Sequence, residues 1–217
     1  MLKIPANGIV PNIHSIIAWS IFQGKETENN WQRRDEELSL LAGWLSGDGG
    51  DVTSWLVNLR LHYHDILACL QSARTQLVLT CCKFLNVLLA KLTSEQFDPL
   101  VDVTLAALLR ICAATKKIIA FSGEQVLMGA FRLAPMGKVG SLVLVTLGEK
   151  NASLRQRVTE AFLRVVAVSP DRWVGRNVEL MERIVVSAVA DATPAVREFA
   201  IELFTLTERH AGLDSQV

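Results

Sequence analysis

One helical pattern recurs along this chain at an interval of roughly 40 residues, and each copy carries a basic residue just after a short turn. The clearest copy runs from Ser72 to Leu92, where a polar turn and Arg74 precede a long apolar run. Leu77, Cys81 and Leu88 fall at helical spacing and share one face. Further apolar residues widen that face, so the helix must be covered by neighbours on more than one side. The basic residues in chain order are Arg33, Arg34, Arg74, Lys117, Arg155 and Arg197.

This interval predicts an all-α fold of two-helix repeats of the HEAT or armadillo class. We expect about five helical hairpins in one α-solenoid stack, within a single domain that spans residues 1–217. Strand signals are scarce, because Asn7-Gly8 is followed by a helical pattern and not by an alternating one. The predicted repeats are 9–47, 51–92, 94–133, 136–169 and 171–210. The predicted helices are Ile9–Phe22, Trp31–Leu45, Val52–Leu70, Thr75–Leu92, Ser94–Ala113, Lys117–Leu133, Lys138–Leu147, Ala152–Val168, Arg172–Ala190 and Thr193–His210.

Composition limits the classes of partner. The chain is 50% apolar and 20% charged, which is typical of a well-packed protein, and its formal net charge is zero. A neutral chain has no overall attraction to nucleic acid or to a membrane surface, so we expect neither as a partner. The start of the chain lacks the pattern of a signal peptide, and no apolar run is long enough to span a bilayer. We therefore expect a cytoplasmic protein whose four cysteines are buried free thiols.

Candidate chemistry is weak throughout. Gly137-Lys138 resembles part of a phosphate-binding loop, but Arg132 and Val139 stand where that motif needs glycine and a hydroxyl residue. His62 and His64 are two apart on a predicted helix and so point in different directions, which does not suit a metal site. We expect no enzyme activity, no cofactor and no metal.

Stacked hairpins bring equivalent turns to one edge of the fold. That edge would carry Trp31, Arg33, Arg34, Arg74, Lys116, Lys117, Lys150, Arg155, Arg157 and Arg197. The acids there are fewer, namely Glu26, Glu28, Glu149 and Asp191. A neutral protein with a basic edge is suited to an acidic protein partner.

At these turns the sequence resembles the TOG domains of microtubule regulators, especially the CLASP type. The matching stretches, in order, are Trp31-Gln32-Arg33, Ala73 to Leu77, Lys117-Ile118 with Ser122-Gly123, Lys150 to Arg155, and Asp191 to Arg197. The resemblance implies a domain that binds αβ-tubulin or the microtubule lattice through its intra-repeat turns and regulates microtubule dynamics. It also implies a cytoskeletal location on microtubules, such as the spindle, centrosome or cilium, and further TOG domains in a longer chain. The residues it implies as tubulin-binding are Trp31, Arg33, Arg74, Lys116, Lys117, Lys150, Arg155 and Arg197.

Several alternatives stay open at the level of sequence. Trp31 either contacts the partner or staples its helix to the core. Arg155 and Arg197 either contact the partner or form a buried ladder with an aspartate of the next repeat. Arg74 and the three lysines have no obvious acid partner, which favours exposed roles. The alternative function is a generic HEAT scaffold that binds another protein or a peptide through its helix faces, with no role in tubulin binding.

Overall fold

The computed structural model describes residues 18–47, 56–173 and 177–214, and their side chains as far as Arg209. Every regular element in these ranges is helical, in agreement with the predicted all-α class. The chain forms two compact units, residues 1–93 and 94–217. The prediction of a single domain over residues 1–217 stays a prediction.

In the first unit, residues 18–47 and 56–93 contain three α-helices and two short 3₁₀-helices. They are the 3₁₀-helix Trp19–Phe22, α1 (Trp31–Ser46), α2 (Leu56–Ala68), the 3₁₀-helix Cys69–Gln71 and α3 (Thr75–Lys91). α1 packs along α3, and the 3₁₀-helix at its N-terminal side contacts both α1 and α2. The buried face of α3 includes Leu77, Cys81 and Leu88, as its apolar spacing predicts.

The second unit is built from hairpins in two layers. Its elements are α4 (Ser94–Phe97), the 3₁₀-helix Asp98–Leu100, α5 (Val101–Cys112), α6 (Lys117–Leu133), α7 (Met136–Leu147), α8 (Ala152–Val168), α9 (Pro170–Trp173), α10 (Val178–Val189) and α11 (Pro194–Asp214). α6, α8 and α11 pack side by side in one layer, while α7 and α10 pack together in the other. Each hairpin, such as α5–α6 or α10–α11, joins the two layers.

For two helices, the predicted first and last residues agree with the structure. α6 and α8 have the predicted bounds, Lys117–Leu133 and Ala152–Val168. α8 begins after Asn151 because the side-chain oxygen of that residue accepts a hydrogen bond from the Leu154 N–H at 3.1 Å. α6 stops before Pro135, whose ring disfavours helical geometry in the residue that precedes it.

Several predicted helices differ from the structure. The predicted Arg172–Ala190 is wrong, because Asn177 is not helical and α10 begins only at Val178. Trp173 is fully buried, edge-on to the ring of Phe162 with 5.6 Å between the ring centroids. The predicted Ser94–Ala113 is interrupted by the 3₁₀-helix Asp98–Leu100, which contains a proline. The predicted Ile9–Phe22 lies outside the described residues except at its end, which is 3₁₀-helical.

All four cysteines are buried free thiols, which confirms that prediction. Among the tryptophans on the apolar faces of predicted helices, which are expected to be core, Trp173 is fully buried and Trp19 is half-buried, stacked on the His62 ring at 5.5 Å. Trp44 is also half-buried, and Trp55 lies outside the described residues. None of the described helices combines the length and apolarity that a membrane-spanning helix needs.

Candidate interaction surface at the turns

The first two predicted turns, residues 23–30 and 72–74, meet within the first unit. Glu26 Oε1 accepts hydrogen bonds from Ser72 Oγ at 2.8 Å and from Arg74 Nη1 at 2.6 Å. Arg74 also forms an ion pair with Glu28. The backbone N–H of Arg74 donates to Ser72 Oγ at 3.0 Å, which fixes the second turn before α3 begins. Side chains from two turns far apart in sequence therefore form one cluster.

This cluster contradicts the expectation that Arg74 lacks an acid partner. Hydrogen bonds to Glu28 and to Glu26 raise the pKa of the Arg74 guanidinium above its ordinary value. The Glu28 side chain is 85% exposed and the Glu26 side chain 18%, so one carboxylate faces solvent and the other is largely covered. Two carboxylates contact one guanidinium here, so the net charge of the cluster is not positive.

Trp31 begins α1 directly beside the cluster and is half-buried. The guanidinium carbon of Arg74 lies 5.1 Å from the centroid of its ring, a cation–π arrangement. The turn that leads to Trp31 is closed by Asn30, whose side-chain oxygen accepts from the Thr27 N–H at 2.7 Å. The indole is thus held against the surface with part of its area open to a partner.

Of the two adjacent arginines after the first turn, one faces solvent and one is buried. Arg33 is exposed. Arg34 is 1% exposed and donates to the backbone carbonyl oxygens of residues 21, 22, 23 and 24 at 2.9–3.3 Å. It satisfies acceptors that the short 3₁₀-helix leaves open at its C-terminal end. The prediction that Arg34 lies on the exposed edge is therefore wrong.

In the second unit, the turns before α6, α8 and α11 lie at one end. Arg155, near the start of α8, reaches Asp191 and Thr193 in the turn before α11. Arg157, in the second turn of α8, donates to Glu124 midway along α6 at 2.9 Å. Since α6, α8 and α11 pack side by side and each follows a helix that it packs against, they run in one direction and their preceding turns lie together.

Of the two roles left open for Arg155, the structure shows the buried ion pair with an aspartate of the next repeat. Its Nε and Nη2 atoms donate to the two carboxylate oxygens of Asp191 at 2.6 and 3.0 Å, and its Nη1 donates to the Glu149 carbonyl at 2.7 Å. The Arg155 side chain is 10% exposed and that of Asp191 4%. Burial alone would raise the pKa of Asp191, but hydrogen bonds from Arg155 and Thr193 outweigh it and hold that pKa below its ordinary value.

The other predicted cations of the second unit remain at the surface. Lys116, Lys117 and Lys150 are exposed in or directly after their turns. Arg197 is also exposed, although its Nη1 donates to the carbonyl oxygens of Asp191 at 2.8 Å and Ala192 at 3.1 Å. The turn end of this unit therefore presents exposed lysines beside a buried ion-pair ladder.

A known family matches most of this chain. The profile described as "CLASP N terminal" matches residues 14–210. The chain belongs to the CLASP N-terminal family. This is a non-enzymatic family of TOG-like domains, as the sequence predicts.

The curated relatives of this CLASP N-terminal domain are much longer proteins. Protein STU1 of Debaryomyces hansenii is 30% identical over 199 residues, which cover 85% of this chain and 13% of that protein. Protein peg1 of Schizosaccharomyces pombe is 26% identical over 185 residues, which cover 82% of this chain and 12% of that protein. The chain therefore spans about an eighth of the length of these relatives.

Two solved structures share the fold of the CLASP N-terminal domain. The N-terminal domain of MAST/Orbit aligns with a TM-score of 0.65 at 15% identity, over 89% of this chain and 83% of that one. A chain from a study of microtubule plus-end tracking by XMAP215, CLIP-170 and EB1 aligns with a TM-score of 0.69 at 16% identity, over 90% and 82%. These similarities confirm the predicted TOG-like HEAT-repeat fold.

Sequence reasoning missed two side chains at the turn end of this CLASP N-terminal domain. Ile118 and Phe121, in the first turns of α6, are 57% and 55% exposed. The signal was present, because both lie off the helical face that Ala120, Leu127 and Phe131 bury. Among the residues that the structure describes, no three His, Cys, Asp or Glu side chains gather as a metal site.

Proposed function

We propose that this CLASP N-terminal domain binds αβ-tubulin through the turn ends of its hairpins and so regulates microtubule dynamics in the cytoplasm. Membership of the family supports this function, as does the fold shared with a protein studied for microtubule plus-end tracking. The observation that carries the proposal is the exposure of Lys116, Lys117 and Lys150 at the turn end of the second unit. Tubulin is strongly acidic, so exposed lysines have the sign needed to attract it.

The structure suggests different roles for the residues that the resemblance implies. Trp31 offers a large, partly open indole, which suits an anchor at the centre of a contact. Arg33 and the exposed lysines would contact acidic groups of tubulin. Arg74 would act through Trp31, because its guanidinium is committed to two glutamates and to the indole. Arg155 would hold the turns in place, and Arg197 would contribute only with its exposed surface.

Size-exclusion chromatography with purified αβ-tubulin at low ionic strength tests the proposal. The wild type should comigrate with tubulin, while Trp31→Ala and the double variant Lys117→Ala/Lys150→Ala should lose much of the complex. Arg132→Ala is a matched control, because Arg132 is exposed near the C-terminal end of α6, opposite Lys117. Lys91→Ala, in the last turn of α3, is the control in the first unit. A wild type that elutes apart from tubulin, or control variants that lose binding equally, would refute the proposal.

A second candidate function is a scaffold that binds another helical protein through a helix face. Val57 and Leu61, one helical turn apart on α2, are 66% and 71% exposed, and Val186 on α10 is 70% exposed. Apolar pairs at this spacing are the usual anchors for a helical partner. This function predicts that Leu61→Ser abolishes the binding of a helical partner while the lysine variants leave that binding intact, and that the wild type does not bind tubulin.

A further inference from the structure

An apolar pair lies beside the exposed lysines at the turn of residues 114–116, which precedes α6. Ile118 and Phe121 are three residues apart, so they point to the same side of the helix. Lys117 lies four residues before Phe121 and borders the same side, and Lys116 is the N-cap residue of α6. We call these four residues the third-turn patch.

The exposure of this pair is not explained by the packing of its own unit. The buried face of α6 contains Ala120, Leu127 and Phe131, which are at most 1% exposed. Ile118 and Phe121 point away from that face and leave more than half of their surface in water. A single exposed apolar residue is common, but two on adjacent turns form a patch that water solvates poorly.

The position of the patch separates it from other exposed apolar residues of the second unit. Ile201 and Phe204 are similarly exposed, at 60% and 51%, but they lie well inside α11, away from the turn that begins it. The third-turn patch instead lies at the end of the unit where the turns before α6, α8 and α11 gather.

We infer that the third-turn patch receives an exposed apolar side chain of αβ-tubulin whose neighbours on the tubulin surface are carboxylates. This inference rests on the proposed function and gives it a chemical detail. Phe121 supplies apolar area at a small cost in side-chain entropy, and Ile118 widens it. The lysines border the pair as a charged rim, with aliphatic stems that extend the apolar surface. An apolar centre with a charged rim is the usual arrangement of a binding hot spot.

The two parts of the patch should respond differently to salt. Apolar burial does not depend on screening, whereas the attraction between lysines and carboxylates weakens as the Debye length shortens. Loss of Phe121 should therefore weaken tubulin binding at every ionic strength. Loss of Lys117 should weaken it mainly at low ionic strength.

Dissociation constants for αβ-tubulin, measured at low and high ionic strength by sedimentation velocity, test this inference. We expect Phe121→Ser to raise the Kd about tenfold at both ionic strengths, and Ile118→Ser to raise it to a lesser degree. Phe121→Leu keeps an apolar side chain and should bind close to the wild type. Phe204→Ser removes an equally exposed phenylalanine from α11 and is the matched control.

The possible outcomes distinguish a failure of the patch inference from a failure of the proposed function. If the wild type and Phe121→Ser bind equally well while Lys117→Ala binds more weakly, the patch inference is wrong and the proposed function stands. If Phe121→Ser weakens binding at low ionic strength only, the contact is not apolar and the inference is again wrong. If the wild type fails to bind tubulin, both are overturned. Far-UV circular dichroism of each variant confirms that it is folded.

Discussion

Replacement of Arg155 by methionine should destabilise the second unit strongly. The substitution keeps most of the side-chain volume but removes the hydrogen bonds to both oxygens of Asp191, at 2.6 and 3.0 Å. The Asp191 side chain is 4% exposed, so the substitution leaves a buried negative charge without an opposite charge. The Thr193 N–H still donates to it at 2.7 Å. Removing one partner of a buried pair typically costs about 3–5 kcal/mol.

We take the lower end of that range, about 3 kcal/mol, because carboxylate hydrogen bonds to the turn persist. For a chain of this size the melting temperature should fall by roughly 6–12 °C. Urea titration followed by circular dichroism measures the change in the free energy of unfolding. Arg164→Met is the control, because the ion pair of Arg164 with Glu160 lies at the surface of one helix and should contribute no more than about 0.5 kcal/mol.

The pH dependence gives an independent test of the same ion pair. The pKa of Asp191 is held below its ordinary value, so the stabilisation is complete above the unfolded-state pKa of about 3.9. It is lost as the pH falls through the folded-state pKa, because the carboxylate is then protonated in both states. Without Arg155, burial holds the folded-state pKa of Asp191 higher in the variant than in the wild type. The difference in stability between the two should therefore be full at neutral pH, shrink as the pH falls through the pKa of the variant, and vanish below that of the wild type.

Two results would refute this reasoning. A loss below about 1 kcal/mol at neutral pH would mean that solvent already screens the pair, as in a surface ion pair. An Arg155→Met variant that is as stable as the wild type but no longer binds tubulin would mean that Arg155 contacts the partner. Arg155→Lys should fall between the wild type and the methionine variant, because a lysine keeps the charge but not the two-pronged geometry.

Three further expectations concern other parts of the domain. Glu26→Gln should weaken tubulin binding because it loosens the cluster that holds Trp31, whereas a purely electrostatic role predicts stronger binding; the measured Kd distinguishes the two. Gly140→Ala should cost about 1–3 kcal/mol in urea titration, because its new Cβ would lie 2.5 Å from a methyl carbon of Leu180. Burial raises the pKa of Cys82 to about 12, so native protein should react with a thiol reagent at neutral pH far more slowly than urea-unfolded protein.

The parts of the fold that sequence predicts well are those set by neighbouring residues. The start of α8 follows from a single side chain, Asn151, and the end of α6 from the proline that comes shortly after it. The burial of Trp173 against Phe162 is instead a tertiary contact that no local pattern reveals. A local signal was also missed, because Pro99 lies in the 3₁₀-helix that interrupts the predicted helix Ser94–Ala113.

The same distinction applies to the candidate site. The spacing of the repeats indicates which residues lie at turns, and the turns of each unit do lie together. The spacing of the repeats does not indicate which charges pair. Arg74 and Glu26 are 48 residues apart in sequence and come into contact only because of the backbone course of the first turn. That path depends on the hydrogen bond between Thr27 and Asn30, which is a detail of one turn and not of the repeat.

The pairing of charges has a consequence for how each unit would bind an acidic partner. In the first unit, Glu26 and Glu28 already neutralise Arg74, so the open indole of Trp31 should contribute most of its contact. In the second unit, Lys117 and Lys150 are exposed beside their turns. The loss of affinity caused by Trp31→Ala should therefore be the same factor at low and high ionic strength, while the loss caused by Lys150→Ala should shrink as salt is added. Equal salt dependence of the two variants would mean that Arg74 leaves its glutamates to contact the partner, and the cluster seen here would then be only the unbound arrangement.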